Sequence, residues 1–164
     1  MNNVEIATVF DNIAKLLEAK GEIPFKIRAY QRVVPEIRHL PELAEVAAAG
    51  QLRTVPGVGQ EIEKKIGEML ATGKLEYYEK LLADYPEGFM ELMTIPGVGP
   101  KLAGRLWQEL QVGNTADLEA ALDDGRVATM PRLGPKTIEN LRQGLEYHRT
   151  HATAPASNSR RGYY

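Results

Sequence analysis

Apolar residues recur at the three- and four-residue spacing of α-helices along most of the chain. The first such face is formed by Val4, Ala7, Phe10, Ile13 and Leu17. Asn2 and Glu5 have the spacing of a capping box at its start, and Gly21 is a natural stop at its end. Because no run alternates with the period of two that half-buried strands require, the pattern predicts an all-α fold.

A second helix is predicted from Pro24, with a kink at Pro35 because proline removes a helical hydrogen bond. Its apolar positions are Phe25, Tyr30, Val33, Val34 and Ile37. Two consecutive helices with one apolar face each predict an N-terminal helical bundle.

A five-residue pattern occurs three times in the remainder of the chain. It reads Val-Pro-Gly-Val-Gly at 55–59 and Ile-Pro-Gly-Val-Gly at 95–99, and a weaker copy at 130–134 reads Met-Pro-Arg-Leu-Gly. Each copy opens into helical spacing and follows a short helical segment, over 43–49, 89–93 and 116–122. The chain is therefore expected to contain three helix-hairpin-helix units in tandem.

The composition argues against several kinds of chemistry. The 164 residues contain no cysteine, which rules out a disulfide framework, a thiolate nucleophile and a cysteine-ligated zinc site. With only three histidines, a hydrolase built on a histidine metal cluster is not expected. No stretch approaches the ~20 apolar residues of a membrane span, and no signal pattern opens the chain. A cytoplasmic, nucleoid-associated protein without a membrane partner is expected.

The net charge of −2 conceals segments of different sign. Residues 22–40 carry +2, residues 81–125 carry −6 and residues 126–164 carry +5. A mean charge near zero is thus compatible with a basic surface that binds a polyanion. The last part, 151–164, is small, polar and basic, and it is predicted to be a disordered tail.

The repeated turns have the composition of a phosphate-binding backbone. A glycine pair around one apolar residue permits a positive φ and lets a ligand approach the backbone closely. The amides that follow lie at a helix N-terminus, where unpaired N–H groups and the helix dipole favour an anion. The candidate contacts are Gly57, Val58, Gly59, Gly97, Val98, Gly99 and Gly134, with Lys101 and Lys136 two places after the second glycine. A compact helix-helix turn without a ligand is the alternative interpretation.

The third copy differs from the others at its first glycine, which is replaced by Arg132. A side chain at this position is expected to restrict the approach of a ligand to the backbone. The third turn is therefore expected to contribute less to binding and to serve mainly in helix packing.

These features resemble a known family. The turns look like helix-hairpin-helix DNA-binding motifs, and the region from about 25 to 110 resembles the N-terminal lyase and DNA-gripping region of family X DNA polymerases, of the polymerase beta type. The resemblance rests on Phe-Lys-Ile-Arg-Ala-Tyr at 25–30, on the first turn, and on Leu-Ala-Thr-Gly-Lys-Leu at 70–75. With the third hairpin included, the arrangement is most similar to bacterial members.

The resemblance implies a domain organisation and a mode of DNA binding. A lyase-like domain with the first hairpin would occupy 1–85, and a second domain with the other two hairpins would occupy 86–150. The first hairpin would grip the strand on the 5′-phosphate side of a gap or nick, and the second hairpin the strand on the other side, in base excision or other DNA repair. Phosphate contacts position a duplex without reading its bases, so binding would be independent of sequence.

The resemblance also implies roles for individual residues. Lys26 would hold the 5′-phosphate, and Tyr30 would line the pocket. Turn carbonyls of such hairpins bind a monovalent cation, Na⁺ or K⁺, that bridges to a DNA phosphate, and no other cofactor is implied. Here these carbonyls would be those of Arg53, Val55 and Val58, and of Met93, Ile95 and Val98.

The main enzymatic alternative is a metal-independent 5′-deoxyribose-phosphate lyase. Lys65 aligns with the family's Schiff-base lysine, whose neutral amine attacks the sugar aldehyde before the phosphate is eliminated. Glu61, where the family carries a lysine, and Glu68 lie four residues before and three after Lys65, and both would favour its ammonium form. Weak or absent lyase activity is therefore expected.

Polymerase activity is not predicted, because the family's metal-binding aspartates lie beyond the region of resemblance. The doublet of Asp123 and Asp124 precedes Gly125 at a predicted helix end, and it is interpreted as a solvated turn. A helical protein-interaction module is a third class of function, since the acidic segment 81–125 would suit a protein partner such as a repair protein. The favoured expectation is a DNA-binding module rather than an enzyme.

Overall fold

The computed structural model describes residues 1–151, which form α-helices and two short 3-10 helices but no strand. The all-α prediction is confirmed. The helices are α1 (Asn3–Lys20), α2 (Pro24–Arg38), α3 (Leu43–Ala48), α4 (Gln60–Thr72), α5 (Glu76–Ala83), α6 (Phe89–Leu92), α7 (Pro100–Leu110), α8 (Thr115–Asp123) and α9 (Pro135–His151). None of these helices is long and apolar enough to cross a membrane. The predicted tail, 151–164, lies outside the described residues apart from His151.

Contacts between residues divide the described chain into two units. The first comprises Met1–Glu18 and Glu22–Ala83, and the second comprises Ala19–Gly21 and the residues from Asp84 onward. The first unit contains the first repeated turn, and the second unit contains the other two.

In the first unit, α1 starts as its sequence predicts. The Glu5 amide donates to the Asn2 side chain at 2.8 Å and the Asn2 amide to the Glu5 carboxylate at 3.2 Å, which completes the capping box. The apolar face of this helix is fully buried at Ile6, Phe10 and Ile13. α2 runs through Pro35 and ends at Arg38.

In the second unit, α8 also begins at a side-chain cap. The Asp117 amide donates to the Asn114 side-chain oxygen at 2.7 Å, because asparagine at this position satisfies an amide that the helix itself leaves unpaired. The core of the unit is formed by buried apolar residues that include Phe89, Leu92, Leu118, Leu122 and Leu141.

Three short elements were not predicted as separate elements. They are α5 and the 3-10 helices Leu52–Thr54 and Val127–Thr129. The 3-10 helices lie directly before the first and third repeated turns. Segments of three residues are too short for a recognisable apolar period, so periodicity cannot identify them.

Candidate nucleic-acid interface

The three repeated turns, named turn 1 (55–59), turn 2 (95–99) and turn 3 (130–134), have the same backbone conformation. In each turn the amide of the fourth residue donates to the carbonyl of the first: Val58 to Val55 at 3.0 Å, Val98 to Ile95 at 2.9 Å and Leu133 to Met130 at 3.4 Å. The third residue has a positive φ, which is +88° at Gly57, +94° at Gly97 and +68° at Arg132. Proline followed by a residue of positive φ is typical of a type II turn. The weaker third copy therefore folds as the same turn, with arginine in a conformation that favours glycine.

A threonine precedes every turn, and this part of the repeat was missed at the sequence level. Its side-chain hydroxyl donates to the carbonyl three residues earlier at 2.6 Å, in Thr54, Thr94 and Thr129. The next residue is a buried apolar side chain, which is Val55, Ile95 or Met130. The hydroxyl satisfies a backbone carbonyl just before the turn, and the apolar side chain anchors the turn in the core. The signal was visible as Thr-x-Pro in all three copies.

The helices that follow turns 1 and 2 begin without a side-chain cap. Gly59 and Gly99 are the N-cap residues of α4 and α7, whereas α8, which follows no such turn, is capped by Asn114. A Cβ atom built at Gly59, Gly99 or Gly134 would meet no described atom within 4 Å. Packing within the described chain therefore does not require glycine at these positions. The first-turn amides of α4 and α7 have no acceptor from their cap residue and can donate to an external anion.

Turns 1 and 2 are supported in different ways. A Cβ atom built at Gly57 would lie 3.4 Å from Cγ of Arg32 on α2, so a flexible side chain borders turn 1. At turn 2, the Pro96 carbonyl lies against Gly144 on α9, where an added Cβ atom would overlap the carbonyl oxygen. Turn 2 is therefore held by helix backbone.

In the part of the second unit that the structure describes, the lysine and arginine side chains without an ion pair lie at the turns. The other described basic residues of this unit pair with carboxylates at 2.8–3.1 Å, namely Lys20, Arg105, Arg126, Arg142 and Arg149. Lys101, Arg132 and Lys136 are exposed and make no ion pair with any described residue. They lie in the first turn of α7, in turn 3 and in the first turn of α9. Among the described residues of this unit, the uncompensated lysine and arginine side chains thus lie at turns 2 and 3 and on the helices that follow them.

In contrast to α7, which has Lys101 in its first turn, α4 begins with acidic residues. Glu61, which corresponds to Lys101, has a side chain that is 78% exposed, and its carboxylate lies 3.8 Å from Nζ of Lys65. Glu63 pairs with Arg53 at 3.0 Å. Turn 1 therefore presents the same backbone as turns 2 and 3 but opens a helix with a negative start.

Lys65 lies against an aromatic pair. Its side chain is only 16% exposed, and its Nζ lies 4.8 Å from the centroid of the Tyr77 ring. Tyr77 stacks on Tyr30, with the ring centroids 6.1 Å apart. The Glu61 carboxylate and the π-face of Tyr77 both attract the ammonium form of Lys65. The predicted proximity of Glu61 is confirmed, whereas the tyrosine contact was missed because it joins two helices.

The second predicted carboxylate neighbour of Lys65 has another role. Glu68 accepts a hydrogen bond from the Glu76 backbone amide at 2.8 Å and makes no ion pair with Lys65. The prediction that Glu68 favours the ammonium form is therefore wrong, because its carboxylate is used to satisfy the first amide of α5. Lys26 is exposed and donates to Glu22 at 2.9 Å, a hydrogen bond that raises the pKa of Lys26.

Tyr30 is placed in the core rather than on an open pocket wall. It is 7% exposed and packs between Phe10 and Tyr77, and burial raises its pKa. The Tyr77 hydroxyl is buried and has no hydrogen-bond partner among the described residues. The Tyr78 hydroxyl accepts from Asn12 at 3.0 Å, and burial raises the pKa of Tyr78 to about 12. Tyr30 and Tyr77 thus form an aromatic cluster that supports Lys65.

The acidic doublet is solvent-exposed, as predicted. Asp123 pairs with Arg142 at 3.1 Å and Asp124 pairs with Arg126 at 2.8 Å. The backbone amide of Arg126 also donates to Asp124 and holds the pKa of that carboxyl below its ordinary value. Both carboxylates therefore serve ion pairs within the second unit.

The carbonyls predicted to hold a monovalent cation flank turns 1 and 2. Two of them, from Val55 and Ile95, accept the hydrogen bonds that close these turns. A carbonyl oxygen has a second lone pair, and a set of oxygen donors suits a hard cation. These carbonyls are thus the chemical type of ligand that Na⁺ or K⁺ requires.

Comparison with known proteins assigns both parts of the chain to one class. A family model described as a helix-hairpin-helix domain matches residues 1–75, and a model described as a SAM-like helix-hairpin-helix tandem matches residues 89–146. The first match contains turn 1, and the second contains turns 2 and 3. Both matched segments are therefore similar to helix-hairpin-helix domains.

A similar protein shows which kind of helix-hairpin-helix protein the chain resembles. The chain is 27% identical over 145 residues to the DNA polymerase/3′-5′ exonuclease PolX of Bacillus subtilis (strain 168), and the match covers 88% of this chain. It covers 25% of the relative, so the chain spans about a quarter of that polymerase. The predicted resemblance to a helix-hairpin-helix region of a family X polymerase-like protein is confirmed.

Proposed function

We propose that this protein binds DNA through its backbone phosphates, without reading sequence, and prefers gapped, nicked or 5′-phosphorylated DNA. The observation that carries the proposal is the confinement of free positive charge to turns 2 and 3 in the second unit. These cations lie beside helix amides that have no side-chain acceptor. Backbone amides and cations at a helix start are the groups that recognise a phosphate.

The preference for gapped DNA and a role in DNA repair rest on the resemblance to family X polymerases. In this proposal each helix-hairpin-helix region holds the DNA on one side of the gap. A Na⁺ or K⁺ ion held by the turn carbonyls would supply a positive charge toward a phosphate. The chain's own contribution is the set of turn amides with Lys101 and Lys136.

A fluorescence anisotropy titration tests the proposal with a labelled gapped duplex that carries a 5′-phosphate and with an intact duplex of the same length. The gapped duplex is expected to bind more tightly, and both affinities are expected to fall steeply with salt because bound phosphates release counterions. Equal affinities would reject the gap preference. Absence of binding at low salt would reject DNA binding and favour the alternative of a protein-interaction module.

A variant at the start of α7 tests the contact surface. Gly99 has an extended backbone and open space around it, so Gly99→Val is expected to fold normally while its side chain keeps a phosphate away from the turn. We expect weaker binding of both duplexes. Gly67→Ala on α4, where the added Cβ also meets no described atom within 4 Å, is the control and should bind as the native protein does. Unchanged binding by a folded Gly99→Val protein would show that turn 2 does not approach DNA.

The second candidate is a 5′-deoxyribose-phosphate lyase, and the burial of Lys65 is the observation that favours it. In that reaction the neutral amine of Lys65 attacks the sugar aldehyde, and water leaves as the Schiff base forms. Loss of a C2′ proton then breaks the C3′–O bond and releases the DNA strand with its 5′-phosphate, and hydrolysis of the Schiff base frees Lys65. The Glu61 carboxylate, 3.8 Å from Nζ of Lys65, and the Tyr77 ring, whose centroid lies 4.8 Å from it, oppose this reaction because they compete with the sugar aldehyde for the same amine. Lyase activity is therefore expected to be weak in the native protein.

Borohydride trapping on DNA that bears a 5′-deoxyribose phosphate distinguishes the two candidates. Glu61→Lys should increase trapping, because it replaces an attractive charge beside Lys65 with a repulsive one. Lys65→Ala should abolish any adduct. Strong trapping by the native protein that disappears in Lys65→Ala would make the lyase the primary function.

A further inference from the structure

Arg132 occupies the position at which turns 1 and 2 have glycine. Its φ is +68°, and Gln111 is the only other described non-glycine residue with a positive φ. In this region an L-residue brings its Cβ close to the following carbonyl oxygen, which is unfavourable and which glycine avoids. The backbone of turn 3 is therefore less favourable for its arginine than the backbones of turns 1 and 2 are for their glycines.

No contact within the described chain accounts for this arginine. Arg132 is exposed, and its side chain makes neither an ion pair nor a hydrogen bond with any described residue. The turn is held by other groups, since Nη2 of Arg105 donates to the Pro131 carbonyl at 2.6 Å and the Leu133 amide donates to Met130 at 3.4 Å. Glycine at position 132 would serve the fold at least as well.

The surroundings of Arg132 are basic and open. Lys136 follows it on the first turn of α9, and Arg105, which contacts the turn through Pro131, lies one helical turn after Lys101 on α7. The charge of Arg105 is neutralised by Glu109 at 2.8 Å. Arg132 is thus one of three uncompensated cations on neighbouring elements, and it belongs to the turn itself.

We infer that Arg132 is a phosphate-binding residue, whose guanidinium contacts an oxygen of the DNA backbone at turn 3. The inference rests on the proposed function and adds a residue that the sequence pattern assigned to packing. A guanidinium donates from a planar fork that matches phosphate oxygens, so one side chain replaces the close backbone approach that glycine allows in the other turns. Turn 3 is then a binding element in its own right, which reverses the minor role expected from its sequence.

Arg132→Gly separates binding from folding, because the substitution relieves the backbone while it removes the charge. We expect its melting temperature to rise by about 2 to 4 °C. We expect its affinity for the gapped duplex to fall about fivefold, the upper end of what an exposed ion pair contributes. The slope of log affinity against log salt should decrease by about one, as for the loss of one phosphate contact. Arg132→Lys should keep the native salt slope, because the charge remains, but lose part of the affinity, because an ammonium lacks the planar fork.

Arg126→Gln is the matched control, because it removes the same charge from a nearby arginine that already pairs with Asp124 at 2.8 Å. Its affinity should be close to that of the native protein. An Arg132→Gly protein with native affinity and native salt slope would overturn the inference, and so would equal losses in Arg132→Gly and Arg126→Gln. If the native protein itself fails to bind DNA at low salt, the proposed function fails instead.

Discussion

Turn 1 and turn 2 have the same backbone but very different chemical surroundings. Beyond turn 1, α4 begins with acidic residues, and Lys65 lies half-buried between Glu61 and the Tyr77 ring. Beyond turn 2, α7 begins with Lys101, which has no carboxylate partner among the described residues. The sequence of the turn thus determines its backbone conformation. The residues just after its second glycine determine whether a negative or a positive side chain lies beside the turn amides.

Turns 1 and 2 also differ in the atoms that pack against them. Turn 1 borders α2, where a Cβ atom built at Gly57 would lie 3.4 Å from Cγ of Arg32 and 3.8 Å from the Cα atom of Val33, so no backbone atom is in overlap there. Turn 2 lies against helix backbone at Gly144, which cannot shift without moving α9. We therefore expect the second unit to hold its turns more rigidly, and three predictions test the contrast.

The largest expected effect is that of Gly144→Ala on stability. The new methyl group would overlap the Pro96 carbonyl, and a backbone overlap of this kind destabilises a packed site by about 1–3 kcal/mol or more. The measurement is the free energy of unfolding in denaturant. Gly67→Ala in the first unit is the control, and it should stabilise α4 by roughly 0.5–1 kcal/mol because nothing described lies near its Cβ. Similar changes in both variants would contradict the rigid support of turn 2.

An intermediate effect is expected from exchanging the charges after the two turns. Lys101→Glu gives turn 2 the charge that turn 1 carries, and we expect DNA affinity to fall about tenfold at low salt, or about 1.4 kcal/mol. Glu61→Lys makes the opposite change at turn 1 and should strengthen binding. Anisotropy titrations at two salt concentrations measure both effects, and the differences should shrink at the higher salt. Weaker binding by Glu61→Lys would show that turn 1 does not contact phosphates.

The smallest effects concern the aromatic cluster that distinguishes the first unit. Tyr78→Phe should lower stability by about 1 kcal/mol, because the Asn12 side chain loses its acceptor. Tyr77→Phe removes a buried hydroxyl that makes no hydrogen bond of 3.5 Å or less with a described residue and lies near Tyr30 and Lys26, so it should change stability by less than Tyr78→Phe does. Urea unfolding of the two variants makes the comparison. A clear loss of stability in Tyr77→Phe would mean that its hydroxyl is used.

Local patterns predicted most of the fold. The capping box at Asn2 and Glu5 and the apolar period that follows involve residues three or four apart, so the chain needs no distant partner to form α1. The Pro-Gly turns are equally local, because proline presets one φ and glycine permits the next. The threonine that precedes each turn is also a local signal, because it stands two residues before the proline in all three copies.

The candidate site could be predicted only in part, because its character depends on contacts between distant residues. The sequence identified Lys65 and Glu61 as neighbours on one helix, but it did not show that the Glu68 carboxylate accepts a hydrogen bond from the Glu76 amide on the next helix. Lys65 meets Tyr77 because α5 follows α4 closely in space. Helix periodicity carries no information about that contact.

The sequence by itself determined that this protein is helical, that it repeats one turn three times, and that two of these turns are followed by lysine. Only the tertiary structure decided that Arg142 is paired, because its partner Asp123 lies 19 residues away along the chain, whereas Arg105 pairs with Glu109 one turn later on the same helix. It also decided that Arg132 adopts a positive φ, since the packing around turn 3 imposes a backbone that arginine would not choose alone. Whether Arg142 is paired depends on a contact in the folded protein, and that contact joins residues that lie far apart along the chain.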